Sequence, residues 1–403
     1  MAIADISAYV LSSPVDTPRS YRLNGGAGLI TQRDVILVSV ETTAGEIGWA
    51  PCGTGTVTKW EEFNEATHDD IGDVIRNIVG PDLVGEDIDD IASVHNVIDS
   101  TNLPEYLRWQ AKSVVDIAVY DILGKRRGQP IYEFLEYDVD PTPTLTVYPS
   151  SGFYLSPEEY VEEATHLVEQ GYDMYKYRAG FGVDWDRRII DHLRARLDDE
   201  VDIIVDAHAW WSLDDASYSR EEIRSLVEYM DDQVFWIEEP FPSNDYQSYR
   251  WLSEATGVPL AAGENEATPG NLVNMAELGF LSFLQGDVKQ HGGYTGSRQA
   301  VEFCEGRDVT YVPHNYGTQL GVVANAHLVA AAPECTLLEY PIYGGEDSVG
   351  MYPFPLASDI IETELEVEDG RLTVPSGPGL GVSVDRSVIE NYPYRSPSPG
   401  SVR

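Results

Sequence analysis

Apolar and polar residues alternate at a period of two in ADISAYVLSS and in DVILVSVETTAGEIGWA, so residues 1–50 predict an antiparallel meander. The intervening PVDTPRSYRLNGGAG is rich in Gly and Pro and reads as a mobile loop; APCGTGTVT, after Trp49, reads as a second. Residues 59–135 carry helical apolar faces, as in the run from Leu103 to Leu123. From about residue 142 the texture changes. Short apolar runs at 143–148, 172–177, 202–206, 234–238, 258–262, 281–285, 309–313 and 335–339 alternate with helical stretches such as 156–171 and 218–230. Strands spaced in this way fit a parallel (β/α) barrel better than an open sheet. The tail beyond 340 holds two further strand-like pieces, IIETELEVEDG and RLTVPSG. With 403 residues, the chain suits a barrel plus a second domain.

Three of the barrel runs close on an acid: Asp206 in VDIIVDAH, Glu238 in VFWIEEP and Glu264 in VPLAAGEN. In a parallel barrel all strand C-termini open on one face, so these carboxylates would converge into an oxygen cage for a hard divalent cation.

Charge narrows the classes of partner. The chain has 68 acidic against 26 basic residues, a net charge of −42, in dispersed pairs and triples rather than one block. On a chain of ordinary hydrophobic content this reads as a folded, hydrated surface adapted to high salt. It disfavours binding to nucleic acid phosphates. No apolar run is long enough for a membrane span and the N-terminus lacks a signal-peptide pattern, so a cytoplasmic location is expected. Cys52, Cys304 and Cys335 match no zinc or redox spacing and read as small buried hydrophobes.

With these residues in place the chain resembles the enolase superfamily, of the mandelate racemase / muconate lactonizing enzyme type, over nearly its whole length. SVVDIAVYDILGKRRGQPIYEFLE (113–136) is similar to the family's structural helix and turn before the barrel, where Asp116 and Asp121 read as packing residues. The resemblance implies a modified TIM barrel, (β/α)7β, with an N-terminal α+β capping domain completed by the C-terminal segment. The expected divisions are 1–135 for the cap, 136–340 for the barrel and 341–403 for a segment packing on the cap. It also implies that Asp206, Glu238 and Glu264 hold Mg²⁺, that Glu239 stands behind them or faces substrate, and that the enzyme is a homo-oligomer.

In GDVKQHGG and VTYVPHNYG the resemblance pairs Asp287 with His314 as a dyad, and His291 reads as a loop residue. A carboxylate bonded to one imidazole nitrogen fixes the tautomer and raises the basicity of the other, which makes a general base. Glu339 in TLLEYP matches a family Glu that can hydrogen-bond an enolate oxygen. In YKYRAG, Lys176 and Arg178 share a face. Where the family often has a second lysine this chain has Arg178, a poor proton acceptor, and Lys176 is assigned to the substrate carboxylate. His208, two residues beyond Asp206, matches an Asp-x-His arrangement in some sugar-acid dehydratases, where the His protonates the leaving hydroxyl. Trp210 and Trp211 wall the pocket or simply pack.

The implied reaction begins with removal of the proton α to a carboxylate. One competent base and an acid near the 3-hydroxyl favour β-elimination of water from a small acid sugar. A racemase, epimerase or cycloisomerase acting on a 2-hydroxy or sugar acid is the alternative, and a non-catalytic sugar-acid-binding relative a third reading. Arg19, Tyr21, Arg22 and Asn24 in the first-domain loops, with Tyr148 in the barrel, are the expected substrate contacts.

Overall fold

The computed structural model describes residues 1–22, 27–52, 72–332, 335, 337–342, 355–395 and 401–402, and for 16–22, 27–30, 214, 401 and 402 the backbone alone. The alternating N-terminal segment forms β1 (Ile3–Arg22), β2 (Ala27–Thr42) and β3 (Ile47–Pro51), an antiparallel meander. Residues 14–22, expected in a mobile loop, continue β1 and pair with β2 as far as Arg22↔Ala27. Pro14 and Pro18 misled the reading. Proline removes a ladder donor but is tolerated on an edge strand, and β1 is at the edge. The register shift between Pro14 and Arg19 absorbs the irregularity. Val35–Val38 and Val40 are buried in the core, as is most of the apolar face of a long helix. Among the described residues, the cap's longer helices are α1 (Ile91–Asp99) and that long helix, α2 (Glu105–Arg127), which ends on Gly128 in the left-handed conformation.

The barrel follows in strict alternation. Its elements are β4 (Thr144–Phe153), α3 (Pro157–Glu169), β5 (Met174–Arg178), α4 (Val183–Arg196), β6 (Asp202–Asp206), α5 (Arg220–Met230), β7 (Trp236–Glu238) and α6 (Tyr246–Ser253). Then come β8 (Leu260–Ala262), α7 (Pro269–Glu277), β9 (Phe283–Leu284), α8 (Gly293–Cys304), β10 (Thr310–Tyr311), α9 (Gln319–Ala331) and β11 (Leu337–Pro341). Capping boxes at Ser156/Glu159 and Ser219/Glu222 start α3 and α5 by satisfying otherwise orphaned backbone donors. Strands β4 to β10 pair in parallel in chain order, and β11 pairs with the other side of β4. The sheet curls round: the rings of Tyr148 on β4 and Trp236 on β7 are 5.4 Å apart, whereas three strand spacings in a flat sheet span roughly 14 Å. Between β10 and β11 the link is by side chain, Asn315 donating its N–H to Glu339 Oε2 at 2.7 Å and its Nδ2 to Glu339 O at 3.2 Å.

The C-terminal segment divides its contacts. The hairpin of β12 (Val367–Glu368) and β13 (Arg371–Thr373) adds to β4 of the barrel, which the expectation of packing on the cap did not include. The final strand β14 (Ser401–Val402) joins β2, and Leu380 N donates to Asp121 of α2. Cap and barrel meet where α2 touches the GG turn at the start of α8. Asp116 accepts from Tyr294 N at 2.7 Å and Thr295 N at 3.3 Å, and Ser113 Oγ accepts from Gly292 N. Gly293, at φ +68°, is required there, because a Cβ would meet Asp116 at 2.2 Å. Asp116→Ala would leave both amides without their acceptor and should cost about 2–4 kcal/mol, read as a lower urea midpoint with unchanged slope. Among the described residues, no helix is long and apolar enough to cross a membrane. Cys52 and Cys304 are buried, and Cys335 is half-buried.

Candidate active site

Each strand-end acid arrives by register. Asp206 pairs directly with Glu238 across β6 and β7, and Glu264 lies two residues past β8. All three are buried. Lys176, fully buried on β5, threads between them: its Nζ lies 2.7 Å from Glu238 Oε1, 2.6 Å from Glu339 Oε1 and 3.8 Å from Asp206 Oδ2. Burial alone would lower the lysine's pKa, but Glu238, Glu339 and Asp206 outweigh it and raise it above its ordinary value. Glu238 Oε2 accepts from Gln285 Nε2 at 2.7 Å. Arg178 Nε stands 3.5 Å from Asp206, and its terminal nitrogens donate to Ser151 O and Ser150 Oγ.

On the other side, His314 Nδ1 meets Asp287 Oδ2 at 3.1 Å, and His314 Nε2 meets Glu264 Oε2 at 3.1 Å. Burial opposes the imidazolium, but Glu264, Asp287 and Glu339 outweigh it, so the pKa of His314 is raised. Burial would also raise that of Asp287; Lys289 and His314 instead hold it down at about 2. His208 follows Asp206 on a short 3₁₀ turn. Its Nδ1 lies 3.5 Å from Glu264 Oε1, and its ring stacks on Trp211 at 5.4 Å. Of the two tryptophans, then, Trp211 lines the site, while Trp210 is fully buried and donates to Asp186.

The structure thus brings together Asp206, Glu238, Glu264, Asp287, His314, Glu339, Lys176, Arg178 and His208. Tyr148 has no exposed surface; its ring packs in the barrel core with Trp236, Met174 and Ile204, and Gln285, Glu339 and Glu238 are near it. Glu239 faces inward, its Oε1 accepting from Gly263 N with the backbone at φ 49°. Arg19, Tyr21 and Arg22 lie on the distal part of β1, their side chains beyond the described set; Asn24 lies outside the described residues, as do residues 53–57 of the second expected loop.

Sequence reasoning missed the polar scaffold behind the dyad. His291 is fully buried: its Nδ1 accepts from Asp287 N, and its Nε2 reaches Glu266 O at 2.9 Å. Asn325 donates to Asp287 Oδ1 at 3.1 Å. Lys289 was visible as one of only five lysines in the chain.

Whether these residues suit a metal is a question of donors and charge. Asp206, Glu238 and Glu264 are all-oxygen ligands, the set a hard divalent cation takes. Five carboxylates (Asp206, Glu238, Glu264, Asp287, Glu339) cluster with Lys176, Arg178 and Lys289, and burial together with the neighbouring acids pushes the pKa of Glu238 up to about 7, a repulsion that such an ion would offset. Among the described residues, no three His, Cys, Asp or Glu side chains form a ready-made cage. The acids engage Lys176, His208 and His314 instead. The donor set and its charge fit Mg²⁺.

Comparison with known proteins agrees over most of the chain. The family described as mandelate racemase / muconate lactonizing enzyme, N-terminal domain, matches residues 5–135, and the enolase C-terminal domain-like family matches 159–388. A D-xylonate dehydratase of Haloferax volcanii is 25% identical over 302 residues, covering 70% of this chain and 69% of its own. An N-succinyl-L-Arg/Lys racemase of Bacillus cereus is 23% identical over 400 residues, 97% of each chain. A solved member of the enolase superfamily from Polaromonas sp. JS666 superposes over 100% of both chains with a TM-score of 0.83 and 28% identity.

Proposed function

Because the chain belongs to the mandelate racemase / muconate lactonizing enzyme group of the enolase superfamily, we propose that it removes the proton α to the carboxylate of a small acid sugar and then eliminates water, giving a 2-keto-3-deoxy acid. The observation that carries this reading is the asymmetry of the site. One side presents an imidazole–carboxylate dyad, His314 with Asp287. The β5 side presents Lys176, bound to two carboxylates, and Arg178. Both hold their protons too tightly to accept another, so racemisation lacks a second base there.

His314 takes the α-proton on Nε2 in its neutral form, once Nε2 is released from Glu264. Asp287 keeps the Nδ1 proton in place and stabilises the imidazolium that forms. Lys176 is the donor to the substrate carboxylate, and Glu339, held by Asn315 N–H, lies beside it. Asp206, Glu238 and Glu264 would hold Mg²⁺, which when bound supplies positive charge against the enediolate. His208, on the strand end next to Lys176 and Arg178, hands a proton to the departing 3-hydroxyl. The C2–H and C3–O bonds break, water leaves, and the enol becomes the ketone. The hairpin arm of β1 and β2, with Arg19, Tyr21 and Arg22, contributes substrate selection.

The test is a panel of D-xylonate, D-gluconate and galactarate with Mg²⁺, scored for 2-keto acid and for α-proton exchange in D₂O. Keto-acid formation from at least one member is expected. Exchange with inversion at C2 and no loss of water would instead establish the racemase or epimerase alternative, which the Bacillus relative's activity also represents.

A further inference from the structure

Lys289 is 2% exposed, and lysine is almost never buried without partners. Its Nζ donates to Asn315 Oδ1 at 2.9 Å and to Tyr316 O at 2.7 Å. It also stands 3.4 Å from Asp287 Oδ2, the oxygen that meets His314 Nδ1. Space for this side chain is built into α9: a Cβ on Gly321 would lie 3.1 Å from both Cδ and Nζ of Lys289. The ammonium therefore joins two loops. One follows β9 and carries Asp287; the other follows β10 and carries His314, Asn315 and Tyr316. Strand β10 is only two residues long and ends at Tyr311; past it, only a one-sided run of backbone bonds, Val312 N to Leu284 O and His314 N to Gly286 O, ties this segment to the β9 side. The side-chain ties are those of Lys289 and of Asn325, which donates to Asp287 Oδ1, His314 O and Asn315 Oδ1.

We propose that Lys289 is a positioning residue of the dyad: its anchorage to Asn315 and Tyr316 sets the distance and angle of His314 against Asp287, in a slot that Gly321 keeps open. The same tie extends to Glu339 through the backbone and side chain of Asn315. The proposal rests on the reading of His314 as the base. It differs from a purely structural role in one consequence: displacing the amine should disturb the aim of His314 even when the fold is intact. A misplacement of about 1 Å at a reacting group costs on the order of 100-fold in rate.

Two variants separate these roles. Lys289→Met removes the ammonium from the slot while keeping an unbranched side chain. Gly321→Ala keeps the ammonium but crowds it; alanine's helix preference offsets part of the crowding cost, and circular dichroism checks that the fold is retained. With ¹⁵N-histidine labelling, the His314 Nδ1–H resonance is assigned by its loss in His314→Asn. In both variants it should shift or broaden while the ring signals of the buried His327 stay in place. On whichever panel acid turns over, kcat should fall by about 100-fold with KM held within about twofold, the signature of an interaction used in the transition state. An unchanged His314 resonance and kcat in Gly321→Ala would overturn the proposal, whether or not Lys289→Met folds. If an acid that exchanges its α-proton in the parent does so equally fast in His314→Asn, the base assignment fails by itself, and the resonance still decides whether Lys289 sets the dyad.

Discussion

His314→Asn is expected to lower α-proton exchange and turnover together by about 10²–10⁴-fold, the range for loss of a general base. Asparagine can still donate toward Asp287, so the pocket keeps much of its hydrogen bonding. It has no nitrogen that can take a proton at neutral pH. KM should change little, because the ring's part is played in the transition state. The pH profile of the parent carries the same information. His314 must be neutral to act, and Glu264, Asp287 and Glu339 together hold its pKa above the usual 6.5. Activity should therefore be lost as pH falls through the pKa of His314, and be fully present only on the alkaline side. Bound Mg²⁺ would draw on Glu264 and lower that limb, while Asp287→Asn should lower it further by removing the partner of Nδ1. An acid limb that stays fixed in Asp287→Asn would remove His314 from the role of base.

Stripping divalent cations with EDTA should stop turnover, by at least about 10³-fold, with Mg²⁺ restoring it; Lewis-acid stabilisation of an enediolate is worth several kcal/mol. The reason is local charge. Glu238 and Glu339 share one ammonium, and Asp206 faces Lys176, Arg178 and the His208 ring. A substrate carboxylate entering among them meets net repulsion unless a further cation is present. A second readout needs no substrate: Mg²⁺ at 100 times its Kd should stabilise the stripped protein by about 2.7 kcal/mol. That gain should vanish in Glu238→Gln. Full turnover in EDTA, or an equal gain in Glu238→Gln, would separate these carboxylates from metal binding.

Much of the site was legible because each acid closes an apolar run. A strand period of two, with all C-termini on one face, suffices to bring Asp206, Glu238 and Glu339 around Lys176. Tyr148 points inward as expected, and periodicity says nothing of its depth: its ring packs beside Trp236, with Glu339 and Glu238 of the site near it. The misreadings have identifiable causes. Pro14 and Pro18 resembled loop chemistry, although the edge strand β1 accommodates them, and Gly28 pairs with Tyr21 from β2. The Lys289–Asn315–Asn325 network and the bridge from His291 to Glu266 depend on loops from different strands lying side by side, which no local pattern encodes. A buried lysine two residues after the dyad acid was the available signal.

The central claim is that one imidazole removes the α-proton and that loss of water follows. It is tested most directly by ¹H NMR of the reacting panel acid with Mg²⁺ in D₂O. The account predicts a 2-keto-3-deoxy acid carrying deuterium at C3, no inversion at C2 in the remaining substrate, and none of this in His314→Asn. Deuterium entering C2 with inversion and with the 3-hydroxyl retained would contradict it.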